Sequence, residues 1–207
     1  MAISTMKIEP VTLVGKAIRL EPLTEAHTPD LEYACKDPPD GRRTIWRYLL
    51  DARVYKDVGM GGMVKELLAR QAGGTDLPFA IIDLKSGNAV GTTRYMEIHT
   101  ADKVVEIGTW IGLGFQREGA NLESKYLMLK HAFATLGAMR VQFKIDTRNF
   151  ASIDAIERIK ATREGIARNH ILLHDGTPRS SAIYSILDTE WPAVEVHLEN
   201  LMARAGS

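Results

Sequence analysis

Val104-Val105-Glu106-Ile107-Gly108-Thr109-Trp110-Ile111-Gly112-Leu113-Gly114-Phe115-Gln116-Arg117-Glu118-Gly119-Ala120-Asn121 decides how this chain is read. Its apolar front half predicts a strand, its glycines a turn, and the residues that follow an amphipathic helix. Leu122, Tyr126, Leu129, Phe133 and Leu136 recur at helical spacing, while Glu123, Lys125 and Lys130 fall on other faces. Glu123 suits a first turn and Gly137 a helix end. A strand that feeds a helix through such a turn converges backbone N–H groups on one point, and the helix dipole favours negative charge there. The expected guest is a phosphate or pyrophosphate. Two familiar phosphate loops do not fit. The dinucleotide fingerprint needs a third glycine where Gly112-x-Gly114-x-x ends on Arg117, and a P-loop needs Ser or Thr where Gly15-Lys16 is followed by Ala17.

Upstream, Thr12 to Leu20 alternates loosely as a first strand, and Thr24-Glu25-Ala26-His27 opens a helix with a threonine cap. Asp37-Pro38-Pro39-Asp40-Gly41 breaks it. Residues from Ile45 to Leu50 and from Val64 to Gln71 predict two short helices joined by Val58-Gly59-Met60-Gly61-Gly62, a segment with hinge-like backbone freedom. Phe79 to Leu84 and Ala89 to Ile98 flank Lys85-Ser86-Gly87-Asn88 as a hairpin. Downstream, Arg140-Val141-Gln142-Phe143-Lys144-Ile145-Asp146 alternates apolar with polar, the pattern of a strand with one buried face. Asn149 caps a helix running to about Ile159. Ile166 to Leu173 and Ser181 to Leu187 pair across His174-Asp175-Gly176-Thr177-Pro178, and Thr189-Glu190-Trp191-Pro192 starts a last helix. The order is mixed α/β, with no repeat or linker.

A chain of 207 residues with 45% hydrophobic side chains is long enough for one core and short for two domains. Twenty-six basic residues balance twenty-six acidic ones, so no net field draws it to nucleic acid or to an anionic membrane. A single cysteine, Cys35, rules out an intrachain disulfide framework and suits a reducing compartment. Met1 to Pro10 holds no apolar run of signal-peptide length, and nowhere do 18 uncharged apolar residues stand together. A soluble, cytoplasmic protein is expected.

Gln116-x-x-Gly119-x-Asn121, placed after this strand, resembles the acyl-CoA pyrophosphate loop of the GNAT superfamily of acyl-CoA-dependent N-acyltransferases. The chain is most similar to the ribosomal-protein-N-acetyltransferase-like branch. Val104 to Gly112 matches the preceding strand, Asp146-Thr147-Arg148-Asn149-Phe150-Ala151-Ser152 the second CoA-contacting segment, and Ile45-Trp46-Arg47-Tyr48-Leu49 an aromatic segment ahead of the second helix. The resemblance covers nearly the whole chain. It implies one domain over residues 1–207, an α/β (α+β) fold whose mixed, mostly antiparallel central sheet has splayed middle strands and flanking helices. It also implies acetyl-CoA in the splay as acyl-donor co-substrate. Backbone at Trp110, Ile111 and Gly112 would lie on the pantetheine arm, with an N–H near Ile111 on the thioester carbonyl. Gln116, Arg117, Glu118, Gly119, Ala120 and Asn121 would surround the pyrophosphate.

An amine must be neutral to attack a thioester, and amines are mostly protonated near pH 7, so a base is required. By resemblance this is Glu106, directly or through a water; the other reading is a glutamate hydrogen-bonded to neighbouring backbone. Ser152 either protonates the leaving thiolate or bonds the first turn of its own helix. Asn149 caps that helix, contacts the pantetheine amides, or does both. Trp46 and Tyr48 form the acceptor wall or pack a helix, and His170, beside Arg168 and Asn169, lies on a strand near the acceptor side. Lys144 and Arg148 are phosphate partners or a solvated face. No residues have metal-ligand spacing, and no metal is expected.

The chain departs from the family pattern at four places. Asn121 stands where many relatives have Gly or Ala, Ile153-Asp154 where this branch often carries basic residues, and Ile159-Lys160-Ala161 where a glycine commonly ends the helix. No tyrosine lies between Asn149 and Ile159, which leaves Ser152 as the hydroxyl. The implied reaction is direct acetyl transfer, in a ternary complex, to a primary amine of a protein N-terminus or a small molecule. Succinyl-CoA or another acyl-CoA is the alternative donor, and a non-catalytic acyl-CoA-binding regulator the alternative role. Relatives suggest a homodimer; the stripe Trp191, Val194, Leu198, Leu201 reads as core rather than interface.

Overall fold

A computed structural model describes residues 5–37, 44–116 and 119–205. Where one strand was expected over Thr12 to Leu20, the chain folds back at Gly15-Lys16-Ala17 and gives two, β1 (Leu13–Val14) and β2 (Ile18–Pro22), paired antiparallel. Thr24 then starts a single 3-10 turn, Glu25–His27, held by its own N–H on His27 Nδ1 at 3.0 Å, and the chain continues into α1 (Thr28–Ala34). The predicted breaker at residues 38–41 lies outside the described residues. Ile45–Tyr48 makes one further 3-10 turn. Of the two short helices expected, Ile45 to Leu50 gives only that 3-10 turn, and Val64 to Gln71 lies within the longer α2 (Ala52–Ala72), which also takes in the glycine-rich segment. The expected joint survives as a local break at Gly59, with φ 69° and ψ −176°, a conformation open to glycine alone without strain.

The hairpin of β3 (Leu77–Asp83) and β4 (Ala89–His99) follows as predicted, then β5 (Val104–Ile111) and α3 (Ala120–Lys130). α3 widens into a π-helical turn over His131–Thr135 before the left-handed Gly137 (φ 67°) ends it. β6 (Arg140–Asp146) and α4 (Phe150–Arg158) match their sequence patterns, and β7 (Thr162–Leu172), β8 (Pro178–Leu187) and α5 (Trp191–Ala205) complete the described chain. None of the described helices is long and apolar enough to cross a membrane.

All eight strands form one sheet in the order β1-β2-β3-β4-β5-β6-β8-β7, antiparallel at every junction except β5–β6. That parallel junction is short. Val104, Val105 and Glu106 pair with Arg140, Val141 and Gln142, and there the ladder stops. Beyond it, β5 stays with β4 as far as Ile111 and β6 stays with β8 as far as Asp146, so the two strands part with their facing edges unpaired. The splay implied by the resemblance is thus present.

Apolar side chains cover the sheet on both sides. One cluster joins Phe79, Tyr95, Val141, Phe143 and Tyr184 of the sheet to Met128 and Leu129 of α3, Ile156 of α4 and Leu198 of α5, and the other joins Trp110 and Trp46 to Leu31 of α1 and Met60 and Met63 of α2. Trp191, Val194 and Leu198 are buried, Leu201 packs against them, and Trp191 stacks on Phe133, as the reading of this stripe as core requires. On α3 the expectation of solvated polar faces fails at Glu123 and Lys125, which are 9% and 7% exposed. Glu123 is buried because its carboxylate accepts the backbone N–H groups of Lys16, Ala17 (2.9 Å) and Ile18 (3.0 Å), closing the β1–β2 turn onto α3. Hydrophobic periodicity cannot register a carboxylate whose partners are distant backbone.

Candidate functional site

Because β5 and β6 are parallel, their C-terminal ends open on the same side of the sheet, β5 towards the N-terminus of α3 and β6 towards that of α4. Helix N-termini at the carboxyl ends of parallel strands form a site for anions. Gly119 is the N-cap of α3 at φ 78°, and a Cβ built on it would meet nothing within 4 Å. Space and backbone geometry there both suit close approach of a phosphate group. Asn121 lies inside the first turn and does not cap the helix; its carbonyl accepts from Ser124 Oγ at 3.1 Å. Ala120 is buried beneath, and Gln116 folds back to donate from Nε2 to Ile111 O at 3.1 Å. Arg117 and Glu118 lie outside the described residues.

Strand alternation determines which β5 groups reach the gap. Gly112 N–H donates to Val90 O at 2.9 Å, on the β4 side. Alternating peptide groups therefore direct the main-chain N–H and C=O of Ile111, Thr109 and Ile107 towards the splay, and those of Trp110 and Gly112 away from it. Gly112 itself is required because a Cβ would come 2.3 Å from Ala34 O at the end of α1. Across the gap, Asn149 caps α4 by accepting Ser152 N–H at Oδ1 (3.2 Å). Ser152 is half-buried, and its hydroxyl makes no hydrogen bond among the described residues.

Beneath the loop lies Lys125. Its Nζ donates to Thr109 Oγ1 at 2.8 Å and reaches Asn121 Oδ1 at 3.5 Å, while Thr109 shares a 2.8 Å hydrogen bond with Thr93. No carboxylate answers it among the described residues, and burial pulls its pKa down to about 7.

On the opposite face of the sheet, Glu106 is 5% exposed at the last rung before the splay. Lys144 Nζ (2.8 Å) and Gln142 Nε2 (3.1 Å) both meet its Oε2, which leaves Oε1 without a partner among the described residues. Two residues towards β4, buried Arg94 holds Asp51 through Nη1 and Nη2 (2.8 and 3.0 Å) and Asp76 through a 3.1 Å ion pair from Nε that is off-axis for a hydrogen bond. Asp51 precedes α2 and Asp76 follows it, so one guanidinium fixes both ends of that helix. Burial pushes the Asp76 carboxyl above its ordinary value despite Arg94 beside it.

Trp46 stacks on Tyr55 with ring centroids 4.1 Å apart and leans on Trp110, whose buried Nε1 has no hydrogen-bond partner among the described residues. Both tryptophan rings are buried, whereas Tyr48 is half-buried with Arg47 and Arg148 over its face. Arg148 is tied to Asp146 through Nε and Nη2 (2.9 and 2.6 Å), and Lys144 to Glu106, so both basic residues serve this face rather than the anion cradle. His170 Nδ1 meets Ser181 Oγ at 3.2 Å on the far side of β6. The structure therefore sets Glu106 at the splay, links Tyr48 through Arg179 and Ser181 to His170, and places His170 on β7, beyond β8 from the splay. Arg94, Arg179 and Lys125 carry no motif, and burial alone exposes their part. No group of His, Cys, Asp or Glu among the described residues is arranged to hold a metal.

The family model of the acetyltransferase (GNAT) domain matches residues 17–162. Among solved structures, the chain is similar to a protein from T. thermophilus assigned as an acetyltransferase, with 34% identity over 94% of this chain and 98% of that one and a TM-score of 0.82. A GCN5-related N-acetyltransferase from Brucella melitensis is 29% identical over 95% of this chain and 88% of that one, at a TM-score of 0.80. Mycobacterium smegmatis RimJ, solved in complex with CoA-disulfide, shares the fold at 20% identity, covering 94% and 96%, at a TM-score of 0.77. None of the curated proteins compared matches.

Proposed function

This chain belongs to the GNAT acetyltransferase family, and we propose that it transfers an acetyl group from acetyl-CoA to a primary amine by direct attack in a ternary complex. The observation that carries the proposal is the splay itself, an unpaired length of β5 and β6 that starts just past Glu106 and ends near the N-termini of α3 and α4. The CoA-disulfide bound by the M. smegmatis relative supports a CoA-linked donor. Acetyl-CoA supplies an activated thioester. The chain's own residues do the rest.

Gap-facing N–H groups of Thr109 and Ile111 hold the donor and polarise its carbonyl, where negative charge develops as the amine adds. Gly119, Ala120 and the first turn of α3 receive the phosphates. Oε1 of Glu106 takes the proton lost by the amine, directly or through a water, as the N–C bond forms and the C–S bond breaks. Ser152 gives the sulfur a proton and recovers one from solvent. Asn149 fixes the turn that presents Ser152 and orients the donor amides. Tyr48 forms the rim of the acceptor site over the floor made by Trp46 and Trp110.

The test separates rate from affinity. Glu106→Gln keeps the shape and the contact with Gln142, and it lowers kcat/KM for the amine by about 100-fold or more while changing acetyl-CoA affinity less than about twofold. Parallel loss of rate and donor affinity would make Glu106 a structural residue and favour a binding protein of the same fold.

A further inference from the structure

Arg179, at the start of β8, is 5% exposed, and nothing among the described residues answers its charge. Nε donates to Ser181 Oγ at 3.1 Å, Nη2 to Lys144 O at 2.8 Å, and Nη1 to Tyr48 O at a long 3.4 Å. All three acceptors are neutral. Among the described residues no carboxylate comes within ion-pair distance. Asp146 and Glu106 act on it from further away, but Asp146 is engaged by Arg148 and Glu106 by Lys144. A buried cation with neutral partners only is unfavourable, and burial holds its pKa below the ordinary arginine value. Guanidinium carries five N–H donors, so some remain unused after these contacts.

A second donor is aimed at the same place. β7 bulges opposite β8 between Ala167 and Ile171, with Asn169 in the left-handed region at φ 47° and its N–H on Ser180 Oγ (3.1 Å). The bulge turns His170 so that Nδ1 meets Ser181 Oγ. Ser181 Oγ accepts from Arg179 and shares a 3.2 Å hydrogen bond with His170 Nδ1; in the tautomer in which Nδ1 accepts from Ser181, the exposed ring carries its hydrogen on Nε2. In that tautomer Arg179 and His170 present donors only. Arg179 starts from the far end of β8, six residues beyond the rung level with Glu106, and its guanidinium reaches back along β6 to the carbonyl of Lys144, whose ammonium meets Glu106.

We propose that Arg179, together with His170, binds a carboxylate of the acceptor several bonds from the amine that is acylated. The substrate class is then dicarboxylic amino acids, or peptide N-termini followed by an acidic side chain, rather than alkyl amines or polyamines. This rests on the acceptor site lying beside Glu106. Arg179 sets specificity and takes no part in the bond changes.

The test titrates CoA-saturated protein with two matched pairs: glycyl-aspartyl-glycinamide against its asparagine counterpart, and glutamate against glutamine. For at least one pair the carboxylate compound binds about tenfold or more tightly, as a charge-assisted contact with a buried arginine requires. Which pair discriminates distinguishes a peptide source from a free amino acid. Arg179→Met abolishes the preference with CoA affinity unchanged, and Arg179→Lys restores part of it. Equal binding within both pairs by the unmodified protein overturns the proposal, whatever the variants do. If CoA itself fails to bind, the donor assignment is lost, and the same pairs titrated against the protein alone still decide the role of Arg179.

Discussion

Lys125 illustrates how much one side chain can contribute without a motif. Its ammonium group has hydroxyl and amide partners only, and its pKa falls from 10.5 to about 7. Between those values the unfolded chain binds a proton that the folded chain does not, so stability rises with pH across that window by the linkage relation. Melting curves from pH 7 to pH 9.5 should show the native protein gaining stability relative to Lys125→Met, by an amount on the order of a few kcal/mol at most. Parallel curves would mean that Lys125 keeps its charge. At Gly119 the positive φ and the open space make separate predictions. Gly119→Val strains the turn by about 1–2 kcal/mol and fills the cradle, so CoA affinity falls by at least tenfold in a titration; unchanged affinity would remove the phosphate assignment. The places of Glu106 on its strand, Gly119 at the turn and Asn149 at its cap were legible because strand, turn and cap positions have sequence signatures. Arg94, Lys125 and Arg179 were not, because a buried charge looks in sequence like a solvated one.

Among elements, β6 shows when pattern suffices. Its alternation predicts residues 140–146, and Val141, Phe143 and Ile145 are the buried ones. The first hairpin shows when pattern fails. Residues 12–20 alternate across a turn that is held shut by Glu123 on a helix more than a hundred residues away in sequence. Glu123→Ala leaves three backbone N–H groups without their carboxylate, and the expected cost is about 3 kcal/mol in chemical denaturation, against no measurable change if water replaces the contact. α4 ends on Lys160 at φ 66°, where relatives commonly have glycine. Lys160→Gly relieves a left-handed side chain and is expected to add about 0.5–1 kcal/mol to stability; a lower melting temperature would show that Lys160 makes a contact worth more than its strain. The π-helical turn that closes α3 had no counterpart in the sequence pattern, since hydrophobic spacing does not distinguish a widened last turn from a regular one.

For the whole molecule, the order of strands and helices followed from turn signals and periodicity, while the parting of β5 from β6 rested on the family resemblance. Composition alone excludes only broad classes. The splay depends on which neighbour each strand keeps, β4 for one and β8 for the other, and such pairing is a property of the assembled sheet. Two layers of apolar packing on one continuous sheet support a single folding unit, and a single cooperative melting transition is the expected observation. The account stands most directly on a titration of the purified protein with acetyl-CoA, followed by thiol release in the presence of amines. It predicts micromolar binding and release of CoA that requires an amine. Failure to bind acetyl-CoA or any other CoA thioester would contradict the placement of the donor between β5 and β6.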